Sequence, residues 1–271
     1  MSMPPKGFSH PLMPVLLVIV IAVVGFAGWM VFSGDSAGKI TGQKQASGNT
    51  DMPAEQKPRL KNLGLGAIGP YDAQAGKSGD LLITGQALNE YDTLGLKGFY
   101  IFGDKLGKND KRKNPNFEFA SLPANTPIIA SIDGVVVNIN RQADSNDYEV
   151  FLQPTEGSAW TIAYDHLIDV AVLKGDTATV GKRLGSAAVQ SNGLARFELQ
   201  VDYGQGGQTV HYCPSAMLDD ITKTKEIVLP QITALQTAWE GFSGKDLYNQ
   251  SAQKVPGCLS ETLTPAQAAG R

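Results

Sequence analysis

The sequence predicts a mainly β, turn-rich domain of the sandwich or barrel kind, with a short α-helical C-terminal extension and an N-terminal transmembrane helix. Three observations carry this. Residues 12–32 form one uncharged apolar run. Between Asp80 and Val201, short β-branched and aromatic segments follow one another, separated by Asp-Gly and Gly-Asp turns, which is the pattern of an antiparallel β protein. The chain of 271 residues also carries 30 glycines and 15 prolines with only 18% charged residues, a composition suited to turns rather than to a helical bundle.

The run Leu12 to Phe32 would cover about 30 Å as a helix, the hydrocarbon thickness of a bilayer. Pro14 falls in its first turn, where a missing N–H costs little, and Trp29 falls near the far interface. A cleaved signal peptide is the alternative, but its apolar core is normally shorter and Asp35-Ser36-Ala37 is a poor cleavage site. No cysteine follows the span to carry a lipid. Lys6 precedes it while Lys39 and Lys44 follow it, so the positive-inside count does not set the orientation. The two cysteines, Cys213 and Cys258, bear on that question. An even count in a translocated chain favours a disulfide, worth about 3–4 kcal/mol as a loop closure. Two unrelated buried thiols are the other reading. The expectation is a single-pass membrane protein with its folded part outside the cytoplasm.

Residues 1–11 read as a cytoplasmic stub and residues 33–59 as a flexible linker, polar and small in composition. Residues 60–220 read as the β-rich domain. Strand signals lie at Asp80 to Thr84, Gly98 to Phe102, Thr126 to Ile139, Tyr148 to Leu152, Trp160 to Tyr164, Val170 to Gly185 and Ala195 to Val201. Lys108 to Lys113 is a charged loop, by default solvated. Residues 221–271 read as a helical extension tied back by the cysteines. In it, Ile232, Leu235 and Trp239 fall at helical spacing within Leu229 to Gly241, and the tail from Pro265 onward is expected to fray.

Four ordered segments carry a resemblance: Thr-Pro-Ile-Ile-Ala-Ser-Ile-Asp-Gly-Val-Val from Thr126, Tyr164-Asp-His-Leu, Val-Leu-Lys-Gly-Asp-Thr-Ala-Thr-Val-Gly-Lys-Arg-Leu-Gly from Val172, and Arg196-Phe-Glu-Leu. Together they resemble the lysostaphin-type zinc metallopeptidases over about residues 98–220. The resemblance implies the duplicated-hybrid-motif β sandwich. It also implies a site built from an early His-x-x-x-Asp segment, a middle histidine and a late His-x-His-Phe-Glu segment. Here the early segment reads Asn114 to Glu118, the middle histidine is His166, and the late segment reads Leu194 to Glu198.

That comparison decides against the family's chemistry. A catalytic zinc needs three ligands drawn from His, Cys and carboxylate, plus an activated water. The ligand positions hold Asn114, Glu118 and Arg196, and the catalytic-histidine position holds Leu194. A guanidinium cannot ligate a metal, and its charge repels Zn²⁺. Of three histidines, His10 precedes the anchor, leaving His166 and His211. The sequence therefore predicts a degenerate site of Asn114, Glu118, His166, Leu194 and Arg196, with no metal and no cofactor, in which Arg196 pairs with Glu118. His166 has two readings, a ligand-binding remnant or a strand-end residue satisfied by Asp165 or backbone. A metal site of another kind, from Glu118, Asp165, His166 and Glu198, is a minor alternative. His211 reads as structural. Tyr164, His166, Trp160 and Glu198 are the candidate ligand-binding residues.

The resulting functional expectation is a catalytically inactive, wall-facing pseudoenzyme that binds peptidoglycan or another envelope polymer or protein. A wall hydrolase with an altered metal site is one alternative, and a membrane-fusion or adaptor protein another, although no long heptad run is present. With a net charge of −3, the chain has no basic signature for nucleic acid.

Overall fold

A computed structural model describes residues 57–87, 97–107, 110–205 and 207–271. The membrane span, the stub, most of the linker, and Lys108 and Asn109 of the charged loop lie outside the described residues. Among the described residues no helix is long and apolar enough to cross a membrane.

The fold is mainly β and antiparallel. A small sheet holds β1 (Tyr71–Asp72), β2 (Lys77–Ser78) and β3 (Leu81–Leu82) in that order. The large sheet has 11 strands: β4 (Phe99–Tyr100), β5 (Phe117–Leu122), β6 (Pro127–Ile129), β7 (Gly134–Gln142), β8 (Asp147–Gln153), β9 (Trp160–Ile168), β10 (Thr177–Ala178), β11 (Arg183–Val189), β12 (Ala195–Gln205), β13 (Gln208–Tyr212) and β14 (Thr262–Leu263). Its main path runs β10-β7-β8-β9-β11-β12-β13-β14, with β5 joined to β12 and β4, and β6 joined to β11. The strand signals at residues 126–139 and 170–185 each resolve into two strands, because Asp133-Gly134 and Thr179 to Lys182 turn the chain. Strand β5 carries no alternating pattern, since all six of its residues are buried.

β12 organises the sheet. Its odd-numbered residues Ala195, Phe197, Leu199 and Val201 are fully buried, while Arg196, Glu198 and Gln200 alternate to the other face, as a strand requires. Phe197 is in register with Phe119 of β5. Their rings stack at 6.1 Å, Phe119 stacks on Phe99 at 5.1 Å, and Phe197 on Tyr164 at 6.3 Å. This aromatic column joins β4, β5, β12 and β9 on the core face and fixes their register.

The helix α1 spans Thr224–Ser243 and buries Ile232, Leu235, Gln236, Ala238 and Trp239, the predicted stripe with two additions. It begins earlier than predicted because Pro230 lies inside it rather than at its start. Cys213 and Cys258 form a disulfide, and both are fully buried. The extension they close adds β14 to β13 and seats Gly257 against the Phe117 ring.

Two boundary expectations change. Residues 57–59 already belong to the folded part: Lys57 lies over the Tyr212 ring at 4.8 Å, Pro58 is buried and Arg59 pairs with Asp220. The tail from Pro265 onward begins as a short capped helix. Thr264 and Gln267 form a capping box on α2 (Pro265–Ala268), which satisfies its first free N–H groups, and the Lys113 N–H donates to the Ala268 carbonyl at 2.9 Å.

Gly98 shows how tightly α1 packs: a Cβ there would lie 2.1 Å from Trp239 Cζ2. Gly98→Ala is predicted to destabilise the fold by about 1–3 kcal/mol through overpacking. Chemical denaturation checks this, and an unchanged midpoint would contradict it.

Candidate functional site

Three adjacent strands place acids in one row. Glu198 of β12 is directly opposite Glu118 of β5 on one side and Asp165 of β9 on the other. Like charges facing each other across a sheet repel, so the row needs cations. Arg196 supplies one from the same face of β12. Its Nε lies 2.9 Å from Glu118 Oε1, and its Nη2 pairs with Glu198 Oε1. The side chains of Arg196, Glu118 and Glu198 are 25%, 9% and 12% exposed, so the pairs are shielded from solvent and matter more than surface bridges. Asn116 donates its Nδ2 to Glu198 Oε2.

His166 supplies the second cation. Its Nδ1 lies 2.7 Å from Asp147 Oδ2, and its Nε2 lies 3.4 Å from Glu198 Oε1 and 3.9 Å from Asp165 Oδ2. Its backbone takes the left-handed conformation, φ 60°, uncommon for a residue other than glycine. The register between β8 and β9 shifts at this place, with Tyr148 opposite Leu167 and Val150 opposite Tyr164. Such an irregularity re-aims side chains, and it lets Asp165 and His166 share one face.

The charge states follow from these contacts. For His166, burial disfavours the charged form, but the bonds to Asp147 and Glu198 outweigh it and raise the pKa to about 10. Burial likewise opposes ionisation of Glu198, yet Arg196 and His166 together hold it down to about 2. Burial pushes Glu118 up to about 7 against the pull of Arg196. One guanidinium thus serves two acids, and Glu198 has the greater share of it. The Glu149 side chain on β8 has no hydrogen bond or ion pair among the described residues. Burial, then the charges of Asp165, Glu198 and Asp202, push it up to about 8.

Of the residues predicted from sequence, Glu118, His166, Arg196 and Glu198 come together. Asn114 is buried, with its backbone bonded to Gly103 and Asp104. Leu194 is buried in the core. Two ligand-binding assignments are corrected. Tyr164 points into the core, where its hydroxyl accepts from the Ser131 N–H at 2.7 Å. Trp160 packs between Tyr203 and Tyr212 at 4.7 and 4.9 Å and is 5% exposed. Both stand an odd number of residues from Asp165, hence on the opposite face of β9. His211 bonds Asp202 at 2.7 Å. Asp147 and Glu149 were not predicted; the alternation of β8 would have paired them on one face, but nothing in sequence aligns that face with Asp165.

The resembled family's zinc does not fit these residues. Arg196 projects its guanidinium between Glu118 and Glu198, where it already pairs with both acids, and it offers no lone pair to a metal.

No family model matches the chain, and no curated protein matches it. Solved structures do. The NMR structure of lysostaphin is 20% identical, with a TM-score of 0.34, and the match covers 41% of this chain and 44% of that one. The catalytic domain of lysostaphin from Staphylococcus simulans is 17% identical, with a TM-score of 0.35, over 51% of this chain and 96% of that one. The catalytic domain of a point mutant of the prophage-encoded M23 protein EnpA from Enterococcus faecalis is 19% identical, with a TM-score of 0.35, over 43% and 88%. The chain thus spans less than half the length of the lysostaphin it matches first.

Two outcomes test the site's electrostatics. Arg196→Met leaves the mostly buried Glu198 carboxylate without its guanidinium, while Glu118, already at about 7, takes a proton; the change is predicted to cost about 3 kcal/mol at neutral pH, the lower end for a broken buried pair because the guanidinium is partly exposed. Urea denaturation measures it, and the loss should shrink as pH falls from about 4.5 toward 2, the range in which Glu198 gives up the stability its depressed pKa confers. Glu149 has its carboxyl raised to about 8 from 4.5, so the folded state holds a proton that the unfolded chain gives up. Its contribution is full below the unfolded pKa and is lost as pH rises through about 8. Glu149→Gln should remove that loss and be more stable than the parent at alkaline pH; an unchanged pH–stability curve would contradict this. By its contacts, the site joins parts of four strands and the entry to β5 into one ion-paired face, in a chain similar over part of its length to lysostaphin-type peptidase domains.

Proposed function

We propose that the chain is a membrane-anchored, extracytoplasmic relative of the lysostaphin-type peptidases that binds cell-envelope material without cutting it. One observation carries this reading. Where the family's motif places its last zinc ligand, this chain has Arg196, and that guanidinium is held by Glu118 and Glu198. The histidine that the family's motif places two residues before it is Leu194 here, buried in the core, and the one imidazole nearby, His166, is held by Asp147 and Glu198 rather than free to activate a water. The duplicated-hybrid-motif sandwich fits the ordered segments from Thr126 to Leu199 and the antiparallel sheet they form.

The ligand surface is the polar face of β8, β9 and β12, with His166 and Glu198 at its centre and Gln200 and Asp202 continuing along β12. Tyr164 and Trp160 play no part, being on the core side. The partner is peptidoglycan or another envelope polymer or protein, reached from the membrane through the segment that follows Phe32.

Two measurements test this. The full chain in detergent micelles is expected to co-sediment with purified peptidoglycan, and Asp202→Lys on the half-buried edge of the face should weaken that capture. Zymography on the same material is expected to show no clearing. Clearing that a chelator abolishes would overturn the inactive reading, and absence of capture would overturn the wall-binding one.

A further inference from the structure

Beside the Arg196 pairs lies a second cluster that they do not neutralise. One oxygen of Asp147, one oxygen of Asp165 and one ring nitrogen of His166 lie within 4.8 Å of one another. The shift in register between β8 and β9 produces this convergence. Glu149 stands between the pairs Tyr148–Leu167 and Val150–Tyr164, opposite both Asp165 and His166. A regular strand would send those two side chains to opposite faces; here the left-handed His166, φ 60°, brings them to the same one.

The carboxylates are oriented by neutral donors. Ser145 Oγ donates to Asp147 Oδ1 at 2.5 Å, and Gln142 Nε2 donates to Asp165 Oδ1 at 2.6 Å. Each aspartate therefore has its other oxygen, Oδ2, turned toward the His166 ring, at 2.7 Å from Nδ1 and 3.9 Å from Nε2. Outer donors that fix one carboxylate oxygen and leave the other turned inward are what a metal-binding carboxylate needs.

Charge points the same way. Arg196 is committed to Glu118 and Glu198, so Asp147, Glu149 and Asp165 share only one imidazole. The Glu149 side chain has no hydrogen bond or ion pair among the described residues. The adjoining acid row also holds an orphaned acceptor. Asn116, 6% exposed, hangs by its Nδ2 on Glu198, and its buried Oδ1 has no partner.

We propose that Asp147, Asp165 and His166 form a divalent-cation site on β8 and β9, with Glu149 as the outer acid that faces it, apart from the position at which the resembled family holds zinc. Two carboxylates and one imidazole suit Mn²⁺ or Zn²⁺ better than Ca²⁺, which prefers oxygen alone. On binding, a ring nitrogen of His166 exchanges its proton for the ion and the proton leaves to solvent. The site stands independently of the wall-binding reading, and it is a binding site with no reaction assigned.

The test is titration of the metal-stripped full chain, in detergent micelles, with MnCl₂, ZnCl₂ or CaCl₂, followed by calorimetry and by the electron paramagnetic resonance of Mn²⁺. Mn²⁺ and Zn²⁺ are expected to bind with single-site stoichiometry and Ca²⁺ more weakly. Asp165→Asn and Glu149→Gln should each lower Mn²⁺ affinity by at least about tenfold, while Glu118→Gln leaves it unchanged. Glu149 has no partner to lose, so its variant keeps the test valid even if Asp165→Asn fails to fold. No binding at millimolar metal would overturn the proposal. So would loss of binding in Glu118→Gln with retention in Glu149→Gln, which would put the ion at the family's position instead.

Discussion

The Arg196 guanidinium, set between Glu118 and Glu198, is the contact on which the polar face of this sheet depends. Glu118, Glu198 and Asp165 are held directly opposite one another on β5, β12 and β9. Such a row would drive its strands apart or out of register. It cannot slip, because a shift of one residue would carry Phe119 and Phe197 from the core to the polar side. The aromatic column thus imposes the acid row, and Arg196 and His166 make it tolerable. Core packing and surface electrostatics here are two faces of one register.

The C-terminal extension supports the same region from behind. Gly257 is seated against Phe117, with its φ at 88°, a conformation that favours glycine. The Phe102 N–H donates to the Gly257 carbonyl, and the Leu259 N–H donates to the Phe102 carbonyl, at 2.9 and 3.0 Å. Phe102 leads into Gly103, whose N–H is bonded to the Asn114 carbonyl at 2.8 Å. The disulfide between Cys213 and Cys258 therefore constrains the segment that feeds β5, and through it the placement of Asn116 and Glu118. Its effect on the site is indirect, by limiting how the entry to β5 can move.

Much of this was legible in the sequence, and the gaps have physical causes. Short β-branched runs with Asp-Gly turns announced β7 to β12, and the spacing of Ile232, Leu235 and Trp239 announced α1. The even cysteine count favoured the disulfide. β5 escaped notice as a strand because a segment buried along its whole length shows no alternation, and a glutamate within it masks the apolar run. Tyr164 and Trp160, expected on the ligand-binding face, lie on the other side of β9. Period-two alternation from Asp165 places them in the core. The roles of Asp147 and Glu149 were hidden for a different reason. A register shift between two strands depends on both partners at once and leaves no mark in either alone.

The pairing of Arg196 also explains why Glu118 differs so much from Glu198. A zinc ion would bring two positive charges to acids in this position, whereas a guanidinium brings one. Glu198 receives Arg196 together with His166 and Asn116, so it stays ionised down to about 2. Glu118 has only the Nε of the same guanidinium, inside a buried strand, and rises to about 7. The deficit of one charge falls on a single carboxyl rather than being spread over the row, because hydrogen-bond geometry, and not proximity alone, decides which acid a shared cation serves. The face is electrostatically settled at Glu198, where Arg196, His166 and Asn116 converge, and under-compensated on either side of it, at Glu118 and at Glu149.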